Sequence, residues 1–311
     1  MTTTPMRAMT AAMIPVAGAV ALGAGFQITT GSMLKVAAAS CGMVLFAWIY
    51  TALRPRPKIA RPLEAVALLL VFNAAAGVLS YGAVAVNLPL QDPLFATLDE
   101  TLGFDWAGFL AFASGTPLLS SMLIAAYHSS ILQIIILVAG LGFLGRVATL
   151  DRFLLAYALT AVTVIFVSML LPAIGPYAYN APDPSIMGMT ADAGIWHLAH
   201  FEALRAGSFT TLDLGEIEGL ITFPSFHTAL AVLTVWAAWN VPFMRWPALL
   251  LNAFLIVGTL PEGGHYLVDL FAGAAIAALA IAVAKRVCAV PNAGLQPMHP
   301  DVSPEAATLA R

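Results

Sequence analysis

Apolar residues run along this chain in long blocks, and polar residues collect in the gaps. About eight blocks of roughly 15 to 25 residues carry few charges, near 9–28, 33–53, 63–84, 118–143, 153–173, 226–243, 247–262 and 265–285, about the length a helix needs to cross a bilayer core. Lipid offers the backbone no hydrogen-bond partners, so blocks of this length are expected to be helical. The expected fold class is all-α, a polytopic transmembrane helical bundle of about eight spans whose last six form a catalytic core. The first block follows Arg7 and has the outline of a signal peptide. It is longer than an apolar signal core, and no cleavage site leads into a polar start, so it is expected to remain as a span.

The gaps differ in charge. Arg7, the group Arg54, Arg56, Lys58 and Arg61, then Arg146, Arg152, Arg245, Lys285, Arg286 and Arg311 fall on one side of an eight-span arrangement. Cytoplasmic sides collect Lys and Arg, which puts both termini there. The other side holds Arg205 and most of the acids, among them Asp92, Asp99, Glu218 and Glu262. Three parts are expected: 1–61, two helices and a basic loop; 62–289, the six-helix core with two long non-cytoplasmic segments; and 290–311, a disordered tail. Of the two long segments, 91–117 suits the membrane interface through Trp106 and its phenylalanines, and HLAHFEALR within 174–224 reads as a surface helix.

Composition narrows the class further. With 60% hydrophobic and 9% charged residues, the 311-residue chain is not a soluble domain. A net charge of −3 makes nucleic acid an unexpected partner. Cys41 and Cys288 lie far apart in apolar segments and give neither a disulfide framework nor metal-ligand spacing. The alanine-rich blocks have a bacterial cast, so the expected location is the inner (cell) membrane.

The candidate chemistry lies in 222–274, where TFPSFHTAL and GGHYLVDLFAG stand at the two ends of an apolar hairpin. From His227 the chain runs apolar to Phe243, is expected to turn at Met244-Arg245-Trp246-Pro247, and returns to Gly263-Gly264 and His265. At about 1.5 Å per residue each leg crosses most of a bilayer core, so both histidines reach the same, non-cytoplasmic surface. Asp269 follows His265 by four residues, a spacing that stacks two side chains on one helical face. Oriented by that carboxylate through one ring nitrogen, a neutral His265 can attack phosphorus with the other, while His227 as imidazolium protonates the leaving oxygen. Pro224 and Ser225 are expected where the helix bearing His227 begins, with free N–H groups facing an anion and the Ser225 hydroxyl as a further donor. Gly263 and Gly264 let the backbone approach a phosphate. Arg205, the arginine on this side, is the candidate phosphate clamp, and Tyr177 and Tyr266 are candidates for headgroup hydrogen bonds or interfacial anchors. Two His and one Asp also make a zinc set, but nothing nearby argues for metal, so neither metal nor cofactor is expected.

PSFH followed at a distance by GGHYLVDLFAG resembles the second and third signature motifs of the type 2 phosphatidic acid phosphatase superfamily. LDETLGFDW, AAYHSSILQ and LLPAIGPYAYN are similar to its branch of inositol phosphorylceramide synthases. The resemblance implies His265 as nucleophile, Asp269 as its orienting carboxylate, His227 as general acid, and a metal-independent site. Phosphatase members carry an arginine shortly before the third-motif histidine, where this chain has Thr259. Their Lys…Arg-Pro first motif is imitated here by Arg54 to Arg61-Pro62, on the cytoplasmic side. The expected substrate is a lipid phosphate or phospholipid in the membrane. Water as acceptor makes the protein a lipid phosphatase; a second lipid or alcohol makes it a synthase-like phosphotransferase. The alternatives are a lipid or proton-coupled transporter, which needs polar residues through to the opposite face, and a noncatalytic lipid-binding membrane protein.

Overall fold

The computed structural model describes residues 4–180 and 193–288. In chain order they form α1 (Thr4–Gly23), β1 (Gln27–Ile28), α2 (Thr30–Trp48), α3 (Pro57–Ala85), α4 (Asp92–Thr101), α5 (Trp106–Ser114), α6 (Pro117–His128), α7 (Ser130–Phe143), α8 (Val147–Leu170), α9 (Pro176–Asn180), α10 (Leu198–Arg205), β2 (Thr211–Leu212), α11 (Phe226–Ala238), α12 (Pro242–Gly258) and α13 (Leu267–Val287). One π-helical stretch, Ile49–Leu53, prolongs α2. The tail expected over 290–311 lies outside the described residues.

The architecture is the expected all-α bundle, and each apolar block is helical. Not every block is a full span. Among the described residues, 5–23, 30–53, 57–85, 147–170 and 267–287 are long and apolar enough to cross a membrane, and α5 with α6 counts as a sixth if a pair bent by 105° is one span. The block 118–143 is divided between α6 and α7, which part at Ser129. α11 and α12, with 13 and 17 residues, fall short of the roughly 20 that a full crossing takes. Their hairpin turns at 239–241, ahead of the expected Met244 to Pro247. Pro242 opens α12, where its missing N–H costs nothing, and the expected turn residues simply continue the helix.

α3 is the centre of the bundle. α1, α2, α7, α8 and α10 all pack on it, and its Phe72 and Tyr81 are fully buried. α8, α11 and α13 pack on one another through alanines, including Ala156, Ala158, Ala229, Ala237, Ala277 and Ala284, each 0% exposed. Small side chains let helices approach closely, and in lipid that contact is what holds them together. Large apolar side chains such as Ile131 and Leu132 on α7 and Phe271 and Leu279 on α13 face outward, where a membrane is their solvent.

One small non-helical feature bears on the site. β1 and β2 form a two-residue parallel pair, Gln27 opposite Thr211 and Ile28 opposite Leu212. It ties the α1–α2 turn to the segment that follows α10, and the Thr29 hydroxyl reinforces it with a 3.0 Å bond to Asp213 Oδ2. Most of the described basic residues sort to the opposite end, at the start of α1 and α3, the α7–α8 turn, the first turns of α12 and the last turn of α13, whereas Lys35 and Arg205 do not.

Candidate active site

The two motif segments meet at two helix starts. Ser225 is the N-cap of α11, in extended conformation, and its hydroxyl accepts from the Thr228 N–H. Pro224 therefore precedes the cap, joined to Phe223 by a cis peptide bond, rather than sitting in the first turn. The hydroxyl expected to hold phosphate is 0% exposed and accepts the cap bond through its oxygen. Ser225 also fastens the two segments together: its N–H donates to the Asp269 carbonyl at 3.0 Å. A Cβ at Gly273 would collide with the Ser225 carbonyl, so glycine is what lets α13 lie this close to the start of α11. Phe226 and His227 then hold first-turn N–H groups that the helix itself cannot satisfy, and both residues line a cavity.

His265 lies just outside α13, and this corrects the expected geometry. α13 starts at Leu267, Tyr266 is its N-cap, and Asp269 occupies the third helical position. The pair therefore does not stack on one helical face. Instead Asp269 reaches back as the acid of a capping box: its Oδ2 accepts from the Tyr266 N–H at 2.9 Å and from His265 Nδ1 at 3.1 Å. The functional result is the one the spacing promised, a carboxylate gripping an imidazole. Both are buried, His265 at 3% exposure and Asp269 at 0%.

Two acids from α4 complete this corner, and the sequence reading had left them as general external charge. Asp99 accepts from the Leu267 and Val268 N–H groups at 2.7 and 3.0 Å. Asp92 accepts from the N–H groups of Ile174 and Gly175 and from the Tyr266 hydroxyl. Seven residues apart, they sit two helical turns from one another on one face of α4, the signal that would have found them. Burial raises the Asp99 carboxyl above its ordinary value, opposed by the two N–H donors. The start of α13 is thus already filled by carboxylates.

A cavity of about 310 Å³ joins the functional side chains. His227, His265, His197, Tyr127, Trp196 and Glu218 all line it, and no Lys or Arg does so among the described residues. The Tyr127 ring lies against His227, centroids 4.4 Å apart and tilted 33°. Gly263 fits beneath it, since a Cβ there would press on the Thr259 carbonyl, the His265 ring and the Tyr127 ring at 2.8, 2.9 and 3.0 Å. Tyr127, assigned no role from the sequence, is therefore part of the cavity wall. At the far wall, Glu218 pairs with His200 at 3.2 Å, and the Tyr81 hydroxyl reaches His200 Nδ1 at 2.8 Å.

His197 is a third histidine at the cavity, from the segment that the sequence reads as a surface helix. It is buried, and its Nε2 has no hydrogen-bond partner among the described residues. Its ring also bonds the Ile174 carbonyl. A neutral ring that donates from Nδ1 presents a lone pair at Nε2. Burial pulls His197 down to about 4 and His265 likewise to about 4, against the backbone carbonyls of Ile174 and Thr222. Both are neutral imidazoles at pH 7, as a nucleophile or proton acceptor must be.

The remaining expected residues stand outside the cavity wall. Arg205 donates to the Leu88 carbonyl at 3.0 Å and stacks over Phe201, with burial lowering its pKa. Tyr177 donates to the Pro261 carbonyl at 2.5 Å, and its ring packs edge-on to Trp106. Gly264, at φ +63°, faces Gly194 and the Tyr177 ring, so its lack of a side chain serves the contact between two loops. Tyr266 is 1% exposed and bound to Asp92. Thr259, in the family's arginine position, is 0% exposed and bonded to the Ile256 carbonyl. Arg61 precedes Ser80, a cavity residue, by 19 positions of one helix, roughly 28 Å away along the axis.

No curated protein and no solved structure matches the chain. Residues 94–283, from within α4 to near the end of α13, match the PAP2 superfamily. That span contains His197, His227, His265 and Asp269 and leaves out α1 to α3, so the chain belongs to the PAP2 superfamily of phosphatase-type phosphoryl-transfer enzymes that act on lipid phosphates in membranes.

Proposed function

We propose that the protein transfers a phosphoryl group from a lipid-linked phosphate through a phosphohistidine at His265. The observation that carries this is the 3.1 Å bond from His265 Nδ1 to the buried Asp269, with His227 lining the same cavity. Asp269 fixes the ring and leaves Nε2 to attack phosphorus. The P–N bond forms as the P–O bond to the leaving alcohol breaks, and His227 gives that oxygen its proton. An acceptor hydroxyl then attacks phosphorus, the P–N bond breaks, and the hydroxyl proton returns to His227. The first-turn N–H groups of Phe226 and His227 are the donors available to the phosphoryl oxygens. His197 Nε2, a buried acceptor on the same wall, is suited to orient the incoming hydroxyl.

The wall also bears on the substrate. With no Lys or Arg among its described lining residues, the cavity suits a singly charged phosphodiester better than a doubly charged monoester. This favours a phosphotransferase resembling inositol phosphorylceramide synthases, with a second lipid or alcohol as acceptor, over a simple lipid phosphatase. No step needs a metal. The concentration of basic residues at the other end supports a site on the non-cytoplasmic face.

The test uses purified protein in detergent with EDTA, a panel of lipid phosphomonoesters and phosphodiesters, and an acceptor alcohol. Headgroup transfer from diesters that persists in EDTA and is lost in His265→Ala is the expected result. EDTA-sensitive turnover, or turnover unchanged in His265→Ala, overturns it.

A further inference from the structure

A second cavity lies at the other end of the molecule, outside the residues that match the family. α1 and α2 each pack along α3 but scarcely touch one another. The wedge between them encloses about 900 Å³. Ile14, Val44, Leu68 and Val71 make apolar walls, and Arg7, Arg61 and Glu64 sit at the basic end. Glu64 pairs with Arg61 at 3.2 Å and also with Arg7, so two guanidiniums share one carboxylate and one positive charge is left over. Trp48 and Tyr50 line the wedge near the same end, where aromatic side chains meet a membrane surface. Further in, Ser40 is 7% exposed and lines the wedge.

We infer that the wedge is a binding site for one anionic phospholipid from the leaflet on the basic side. The leftover positive charge meets the lipid phosphate, with Arg7 and Arg61 as its donors. One acyl chain lies between α1 and α2, replacing the contact those helices do not make with each other. A zwitterionic lipid has the same tails and phosphate, but its ammonium group meets the two guanidiniums unfavourably. The site thus selects by charge as well as shape.

The test is native mass spectrometry of the full chain released from detergent with phosphatidylglycerol, phosphatidylcholine or inorganic phosphate added. One phosphatidylglycerol retained per chain, in preference to phosphatidylcholine, is the expected result. Arg7→Gln and Arg61→Gln each weaken retention roughly fivefold. Ala11→Trp fills the wedge from an exposed position on its wall; it abolishes retention while phosphoryl transfer continues at the unaltered rate. Equal retention of both lipids overturns the inference, as does retention indifferent to both the arginine variants and Ala11→Trp. Displacement by inorganic phosphate, or a dimer in place of the lipid-bound chain, overturns it as well.

Discussion

Two helices begin at the candidate site, and they begin in opposite ways. α11 is capped by a neutral hydroxyl, Ser225, and the N–H groups of its first two residues are left for something else. α13 is capped by carboxylates: Asp99 takes the Leu267 and Val268 donors, and Asp269 takes Tyr266. Both starts carry the partial positive charge of a helix N-terminus. At α13 the protein has neutralised it internally and uses the leftover reach of Asp269 to hold His265. At α11 it remains open toward the cavity. Under the proposed function the two ends have different duties: one builds the nucleophile, the other receives the anion.

The sharpest way to break the contrast is at Asp269. Asp269→Asn keeps the shape of the cap but removes the charge that orients His265, and turnover should fall by about 10³- to 10⁴-fold with substrate affinity little changed. A fall shared with affinity would mean that the residue serves only the fold. At the other helix, His227→Gln should lower turnover by about 10²- to 10⁴-fold for a lipid alcohol as leaving group. The same variant should lose far less with a nitrophenyl ester, whose leaving oxygen needs no proton. An equal loss with both leaving groups would remove His227 from the acid role.

Smaller effects should separate the two caps. Asp99→Asn is expected to destabilise the protein by about 1–3 kcal/mol, because a buried carboxylate loses its charge-assisted bonds to two half-buried N–H groups, whereas Ser225→Ala should cost about 1 kcal/mol. Thermal unfolding in detergent measures both, and a larger loss at Ser225 would reverse the comparison. The pH dependence is gentler still. Burial pulls His265 down to about 4 in the folded protein from an ordinary value of 6.5, so it stays a neutral imidazole until the pH approaches 4. The acid limb of kcat/KM should therefore lie well below pH 6. By the same shift, stability is fully present above about pH 6.5 and declines as the pH falls toward 4, because the unfolded chain takes up a proton that the folded one excludes. An acid limb at 6.5 would show that His265 is solvated.

Much of this was legible in the sequence. The apolar blocks fixed where helices lie, because lipid leaves the backbone no other choice, and the hairpin length brought His227 and His265 to one end. What stayed hidden has a physical pattern. Spacing alone reads His265 and Asp269 as a helical pair, and only the cap at Tyr266 reveals the reach-back. Arg205 looked like the phosphate clamp because it was the lone arginine on its side, yet its guanidinium is bonded to the Leu88 carbonyl. His197 and Tyr127 reach the cavity through contacts among distant elements, which no local pattern encodes. The α11–α12 turn was misplaced by a few residues because two prolines, Pro242 and Pro247, offered competing starts.

The most direct measurement is to quench the reaction rapidly with a phosphodiester lipid and map the phosphorylated residue by mass spectrometry under alkaline conditions, which preserve phosphohistidine. The account expects a phosphoryl group, still bearing the retained headgroup of the diester, on His265, accumulating in the unaltered protein when an acceptor is withheld, suppressed in His227→Gln and absent from His265→Ala. Phosphate on another residue, or full turnover by His265→Ala with no phosphoenzyme, would contradict it.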